Sequence, residues 1–316
     1  MLKRKFYRKI LVTTSVLFSF FLMNFLPDGN NDITQKLEYI NNYDSQTIYL
    51  IDQYNMVART NVYMDKESDV IKQAKKMLEL LILGGESESK LPSGFRGIVP
   101  NETKIIGISF KDSILKINFS KELLDVEEKL EEKVIEAIIF SMTEIEGVEK
   151  IIIYIEDEIL TKLPKSKINL PTILDRSFGI NKKYSIQTYK NIEPVIIYYI
   201  SKYNNDYYYV PVTKYVNDSR EKIKIIIEEL SSSPLIETNL MSFLNSNTKL
   251  LATQEEVNSL FLVFNEYIFS DMDSRKILEE VIYSISLSVG DNYEVKEVIF
   301  KTEEDEICKS VIKTLE

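Results

Sequence analysis

The chain has 316 residues, a formal net charge of -10, no histidine and one cysteine, Cys308. These counts exclude a Ser-His-Asp triad, a Cys-His nucleophile pair, a zinc site of His and Cys ligands, and an internal disulfide. The acidic balance also argues against nucleic acid as a partner, because binding to phosphates requires a basic surface.

Residues 1–27 have the pattern of an export signal. An uncharged run, Ile10–Leu26, follows a basic head that contains Lys3, Arg4, Lys5, Arg8 and Lys9. As a helix this run would span about 25 Å, slightly less than the bilayer core of about 30 Å. No small-x-small cleavage site follows it, so the sequence favours an uncleaved signal anchor over a cleaved signal peptide. By the positive-inside rule, the bulk of the chain then lies outside the cytoplasm, behind a polar tether at 28–46.

The next segment, 47–160, alternates short apolar runs with two helical stripes. The short runs have strand length and are bounded by turn residues, and the stripes show apolar side chains at helical spacing. The predicted elements are strands Thr47–Ile51 and Val57–Met64, helix Val70–Leu83, a hairpin of Lys104–Phe110 and Ile114–Phe119, helix Val126–Ile145 and strand Ile151–Ile155. The order ββαββαβ predicts an α+β module with two helices on one face of a small sheet.

The same pattern returns in 195–316, after a proline-containing linker at 161–194. Its predicted elements are strands Val195–Tyr203 and Tyr207–Val216, helix Ser219–Leu230, strand Leu260–Phe264, helix Lys276–Leu287 and strand Val298–Phe300. We therefore predict two tandem, divergent copies of one module, with Phe140-Ser141 matched to Tyr283-Ser284. A polar, acidic tail is expected around Cys308, and the linker is expected to add a short strand at Tyr184–Thr188.

The repeat also predicts the core of each module, because matched apolar stripes must face the same interior. In the first copy the expected buried residues are Ile117, Phe119, Val134, Ile138 and Ile153. In the second copy they are Leu262, Phe264, Ile277, Val281 and Ile299.

Four segments of the first copy resemble one known family. They are Leu80–Gly85, Leu91–Lys104, Ile117–Leu123 and Thr143–Ile151. In order and spacing they are similar to the GerM-like family of sporulation and germination proteins, which carry tandem GerMN domains. The second copy is a weaker match, because Ser231-Ser232-Ser233-Pro234 stands where the family has a Gly-Pro cap and Asn265 replaces a serine. The chain also lacks the family's lipid-modified cysteine, whose tethering role the uncharged N-terminal run would fill.

The resemblance implies both a fold and a role. GerMN domains are similar to the ring-building motifs of secretion systems, so both modules are expected to share that fold. The family implies a non-enzymatic envelope scaffold that supports assembly of a sporulation or germination complex between the mother-cell and forespore membranes. The expected partners are proteins of that channel complex, the membrane through residues 10–26, and further copies of this chain. The alternative is an exported protein that binds peptidoglycan or assists its hydrolysis.

One loop is the candidate contact site for a partner protein. Within Leu91–Pro100, apolar side chains stand among polar turn residues without strand or helix periodicity. The predicted contact residues are Leu91, Phe95, Arg96, Ile98 and Val99. A second interpretation, that the apolar members cover their own core, remains open at this point. No residue is predicted to act in catalysis, to bind a cofactor or to ligate a metal.

Overall fold

The computed structural model describes residues 35–38, 45–186, 188, 190–232 and 239–312. The expected signal segment 1–27 lies outside these ranges, as do residues 28–34 and 39–44 of the expected tether 28–46. Within them, no helix is both long enough and apolar enough to cross a bilayer. Both repeated modules lie in the unit that spans residues 36–316.

The first module follows the predicted order of strands and helices. Helix α1 begins where the Asp69 side chain accepts a hydrogen bond from the Lys72 backbone N–H at 2.9 Å, which satisfies a donor left free at the helix N-terminus. After a short strand, β1 (Gln35–Glu38), the elements are β2 (Ser45–Asp52), β3 (Val57–Tyr63), α1 (Val70–Leu81), β4 (Phe95–Arg96), β5 (Ile105–Lys111), β6 (Ile114–Phe119), α2 (Glu128–Met142), β7 (Lys150–Ile155) and β8 (Glu158–Ile159).

The second module repeats this order. A linker strand, β9 (Lys183–Ser185), precedes it, and its elements are β10 (Glu193–Tyr203), β11 (Asp206–Val216), α3 (Lys222–Ser231), β12 (Leu250–Glu255), β13 (Ser259–Phe264), α4 (Glu279–Asn292), β14 (Glu297–Lys301) and β15 (Glu306–Val311). Strand β12 was not predicted. The expected polar tail is wrong through Val311, because Cys308 and Ser310 alternate into the core and make β15 a strand.

The outer sheets of the two modules have the same strand order and directions. In the first, β5 pairs antiparallel with β6, β6 parallel with β7, and β7 antiparallel with β8. In the second, β12, β13, β14 and β15 are neighbours in that order with the same alternation of directions. The predicted repeat is therefore visible in the topology as well as in the order of elements.

The first hairpins of the modules form a third sheet that both modules share. Its order is β10-β11-β3-β2-β4, with β9 beside β11. The prediction of one small sheet per module is therefore wrong. Successive side chains of a strand point to opposite faces, and β10 uses both: Tyr198 packs into the core of the first module, while Ile197 and Tyr199 pack into the core of the second. A hairpin that is apolar on both faces needs cover on both sides, which a single module does not provide.

The predicted core residues are buried in both modules. The five named in the first copy are at most 2% exposed, and the five named in the second are at most 8% exposed. Burial of an aliphatic or aromatic side chain of this size stabilises the fold by about 1.5–3 kcal/mol. The apolar periodicity of the sequence is thus a sound guide to the interior of each module.

Residues 161–186 of the linker form a strap that packs along both modules. Its side chains Leu163, Leu170, Leu174 and Ile180 are buried. Leu174 exchanges backbone hydrogen bonds with Ile151 of β7, and β9 pairs in parallel with the end of β11. The predicted linker strand exists but is shorter than expected, and the linker fixes the two modules against each other.

Candidate functional site

The predicted contact loop, Leu91–Pro100, packs against the C-terminal end of α1. The backbone N–H groups of Ile98 and Val99 donate to the Leu81 carbonyl at 2.8 and 2.9 Å, and the Leu83 N–H donates to the Val99 carbonyl at 2.8 Å. The first two bonds satisfy the Leu81 carbonyl, which is one of those that a helix C-terminus leaves without partners. Ile98 and Val99 are 3% and 1% exposed, so they cover the core of their own module.

Gly97 allows this close approach. A Cβ atom at this position would lie 2.5 Å from the Leu81 carbonyl oxygen and 2.8 Å from the Ile82 carbonyl carbon. Because both atoms belong to the backbone, Gly97→Ala is expected to force the loop off the helix and to cost about 2 kcal/mol of unfolding free energy. Urea denaturation of the full-length chain measures this loss. Gly107→Ala is the matched control, because no atom lies within 4 Å of its Cβ position, and equal losses in both variants would contradict the assignment.

Two other loop residues, Gly94 and Phe95, contact the second module, and Arg96 bonds within the first. The Phe95 ring meets the Tyr208 ring edge-to-face, with centroids 4.9 Å apart. Arg96 donates to the Asn55 side-chain oxygen at 2.8 Å. Gly94 has φ +89° and lies against the Tyr203 ring, in a backbone conformation that favours glycine. Part of the loop is thus a contact between the modules.

The structure narrows the surface that this loop offers to a partner. Ile98 and Val99 are buried, whereas Leu91, Phe95 and Arg96 are half-buried and keep part of their surface in solvent. Contact with another protein through this loop stays a prediction, and it rests on those three side chains.

A polar cluster missed by the sequence analysis lies between the modules, around Arg176 of the linker. The guanidinium forms ion pairs with Glu144 and Asp291, one acid from each module. It also donates from Nε to the Thr143 hydroxyl at 3.0 Å and lies over the Phe140 ring at 5.0 Å. Arg176 is the one arginine in 161–194, which is a weak signal, and nothing in the sequence indicates its partners.

Each module supplies an equivalent set of side chains to this cluster. The Ser141 hydroxyl of α2 accepts from the Tyr49 backbone N–H at 3.0 Å, and the Ser288 hydroxyl of α4 accepts from the Tyr198 N–H at 2.9 Å. Three residues after each serine comes the acid that pairs with Arg176. The predicted match of Ser141 to Ser284 is therefore wrong by one helical turn.

The two tyrosine hydroxyls meet between the modules, 2.8 Å apart. Tyr49 is also 3.1 Å from a Glu144 carboxylate oxygen and Tyr198 is 2.7 Å from one of Asp291. Burial, followed by the charges of these acids, raises the pKa of both tyrosines well above their ordinary value. Both phenols therefore stay protonated at neutral pH and serve as hydrogen-bond donors.

Arg176 stays protonated in the cluster and favours the ionised form of Glu144. Burial alone would lower its pKa, but the charges of Asp291 and Glu144 outweigh that effect and raise it well above the ordinary value. Burial likewise would raise the pKa of Glu144, yet the charge of Arg176 outweighs it and holds that pKa below its usual range. Because the charged groups bind one another, the arrangement acts as an electrostatic clamp on the two modules.

A second residue of the linker joins the central strands. The Asn181 side-chain amide donates to the carbonyls of Val57 in β3 and Pro211 in β11 at 2.7 and 2.8 Å, and its oxygen accepts from the Val57 N–H at 3.0 Å. Pro211 has no N–H with which to continue a strand ladder, so the asparagine replaces the missing pairing. This site was also missed by the sequence analysis.

The architecture and this junction can now be compared with known proteins. The Germane family, described as "Sporulation and spore germination", matches residues 47–161 and 196–308. The chain belongs to this family. Each match covers the strands and helices of one module, so both copies of the repeat are Germane domains, including the divergent second one.

Two relatives extend this assignment to the Germane tandem as a whole. The spore germination protein GerM of Bacillus subtilis (strain 168) is 28% identical over 273 residues, which are 85% of this chain and 74% of that protein. The solved tandem GerMN domains of the sporulation protein GerM from Bacillus subtilis match with a TM-score of 0.77 and 26% identity, over 84% of this chain and 93% of that one. The resemblance to tandem GerMN proteins is confirmed.

Proposed function

We propose that this chain is a non-enzymatic envelope scaffold that supports assembly of a sporulation or germination complex between the mother-cell and forespore membranes. The observation that carries the proposal is the structural match over 84% of the chain to the tandem GerMN domains of a sporulation protein. The match spans both modules, so the tandem, rather than one module, is the unit that would present surfaces to partners.

The chemistry of the junction favours a scaffold over an enzyme. Arg176 is engaged by both acids of its cluster, and Tyr49 and Tyr198 are held protonated by burial. Catalytic groups need a free position from which to meet a substrate. In this cluster the polar groups are occupied by one another, which supports a structural role.

The proposed setting follows from the N-terminal sequence. The run Ile10–Leu26 would anchor the chain as a single-pass membrane protein, with residues 28–316 outside the cytoplasm and in the intermembrane space during sporulation. The proposed partners are proteins of the channel complex and further copies of the chain, and the contact would use the exposed parts of Leu91, Phe95 and Arg96. Weak contacts of this kind become effective when an assembly repeats them.

Photo-crosslinking in a spore-forming host tests the proposal. A tagged copy in the deletion strain should restore spore formation and collect at the forespore membrane. A photoreactive residue at Leu91 should give adducts with envelope proteins only during sporulation, whereas one at Val257, which is 92% exposed in the second module, serves as the control. Normal spores in the deletion strain together with uniform localisation would refute the scaffold role in sporulation. Adducts from Val257 alone would refute the loop as the contact site.

One feature favours the alternative of peptidoglycan binding. An open groove of about 500 Å³ lies between the end of β3 and α1, and charged side chains of both signs, including Asp65, Lys76 and Lys90, line it. Concave sites with converging polar groups suit small ligands. Saturable binding of the purified chain to peptidoglycan, abolished by substitutions in this groove, would favour that alternative over the scaffold.

A further inference from the structure

The joint between the two modules depends on side chains more than on backbone pairing. Within the described residues, β3 and β11 are paired at one position, Tyr209 opposite Arg59. The Asn181 side chain of the linker adds hydrogen bonds to the backbone of both strands. Because the Asn181 side chain bonds to both strands, whatever holds this residue in place affects local opening of the joint.

We propose that the joint between β3 and β11 is a pH-gated junction, in which deprotonation of Glu136 beneath the linker lets the joint open locally. The Glu136 carboxyl lies on α2, is 2% exposed, and accepts a hydrogen bond from the Asn181 backbone N–H at 2.9 Å. The same asparagine bridges Val57 and Pro211 through its side chain. A change in the protonation of the Glu136 carboxyl therefore affects both strands of the joint through Asn181. The inference goes beyond the scaffold role and does not depend on it.

Charged and titratable groups face Glu136 from every element packed around it. Lys182 of the linker forms an ion pair with Glu132 of α2 at 2.7 Å, and the Lys133 ammonium lies 3.3 Å from the Asn181 side-chain oxygen. The groups that interact electrostatically with the carboxyl are Glu132 and Lys133 from α2, Lys182 from the linker, Tyr184 from β9 and Tyr215 from β11. Asp52 from β2 acts on Lys133 in turn. Neither lysine forms a direct ion pair with Glu136, so the carboxyl is not fixed in its charged form.

The direction of the pH effect follows from burial. Burial raises the pKa of Glu136 from 4.5 to about 7, although the Asn181 N–H and the charges of Lys182 and Lys133 act in the opposite sense. In the open form the carboxyl is solvated and keeps its ordinary pKa. The closed form therefore holds a proton that the open form releases, and opening becomes more favourable as the pH rises from about 4.5 through about 7. With these two pKa values, the equilibrium constant for opening rises roughly 30-fold between about pH 5.5 and about pH 8.

Hydrogen exchange on the full-length chain in lipid nanodiscs measures this opening. Protection factors, which correct for the intrinsic pH dependence of exchange, are compared for the Val57 and Asn181 amides and for the Ile117 and Ile153 amides of the first outer sheet. The joint amides should lose protection by roughly 30-fold between about pH 5.5 and about pH 8, while the outer-sheet amides should not. In Glu136→Gln, which has no ionisable group at this position, the joint amides should keep nearly constant protection across this range.

Three outcomes would overturn the proposal. They are pH-independent protection of the joint, an equal change in the outer sheet, and an unchanged pH dependence in Glu136→Gln. Lys133 is half-buried, and burial lowers its pKa, so the comparison with the glutamine variant separates its contribution from that of the carboxyl. If the variant does not fold, carboxyl NMR of the unmodified chain decides, because titration of Glu136 at its ordinary pKa would remove the basis of the junction.

Discussion

Replacing Arg176 with methionine is expected to lower the free energy of unfolding by about 4 kcal/mol at neutral pH. The substitution leaves Glu144 and Asp291 without their shared cation, and removal of one partner from a buried ion pair typically costs about 3–5 kcal/mol. The Asp291 side chain is 9% exposed and that of Arg176 is 25% exposed, so solvent screens the remaining charges only in part. Chemical denaturation of the full-length chain at constant ionic strength measures the loss.

The loss should depend on pH in a defined direction. In the unmodified chain the pKa of Glu144 is below its ordinary value. This carboxylate therefore stabilises the fold above its unfolded-state pKa of about 4.3, and the contribution disappears as the pH falls through the folded-state value. The difference between the unmodified chain and Arg176→Met should consequently be largest near neutral pH and shrink as the medium becomes acidic.

Arg275 offers a matched control for the Arg176 substitution. It also pairs with an acid, Asp305, at 3.1 Å, but 42% of its side chain is exposed. Surface ion pairs contribute about 0–1 kcal/mol, so Arg275→Met should have a small effect. Adding Glu144→Gln and Asp291→Asn to Arg176→Met should recover part of the loss, because these changes remove the unpaired charges. A loss of equal size at both arginines would contradict the clamp.

The modules could be predicted from sequence because their interiors obey local periodicity. Ile117 and Phe119 alternate along a strand, and Val134 and Ile138 are spaced by one helical turn, so each pattern points to one buried face. All four are buried in the structure. The same argument succeeded in the divergent second copy, where Val281 and Phe264 keep their positions relative to the turns.

The arrangement of the modules could not be predicted in the same way. Arg176 and Asp291 are 115 positions apart, and no periodic pattern connects a linker arginine to a helix of the second module. The shared sheet could not be predicted for the same reason. The apolar pattern of a hairpin such as β10–β11 does not show which module covers its second face. The contact loop shows a related ambiguity, since apolar residues without periodicity, such as Ile98, give the same sequence pattern whether they cover their own core or contact a partner.

Asn181→Gly is expected to lower the free energy of unfolding by about 3 kcal/mol. The Asn181 side chain makes three hydrogen bonds to the backbone of Val57 and Pro211, at 2.7–3.0 Å, and each contributes about 0.5–1.5 kcal/mol, with a further cost when a buried carbonyl is left unpaired. Glycine tolerates the positive φ of 47° at this position, so the variant removes the side chain without straining the backbone. Thermal and urea unfolding of the full-length chain measure the change.

Two further variants separate the side-chain bonds of Asn181 from its backbone. Asn191 has a φ of 51° and is exposed, so Asn191→Gly controls for the added flexibility of glycine in the unfolded chain and should cost about 1 kcal/mol or less. Asn181→Asp keeps an oxygen for the Val57 N–H but loses the amide donors that serve the two carbonyls. It should therefore destabilise the fold at neutral pH, because the carbonyls of Val57 and Pro211 lose their donors. If Asn181→Gly and Asn191→Gly cost the same, the asparagine is not what joins β3 to β11, and the two modules must be held by other contacts, such as those of Arg176 and the apolar packing.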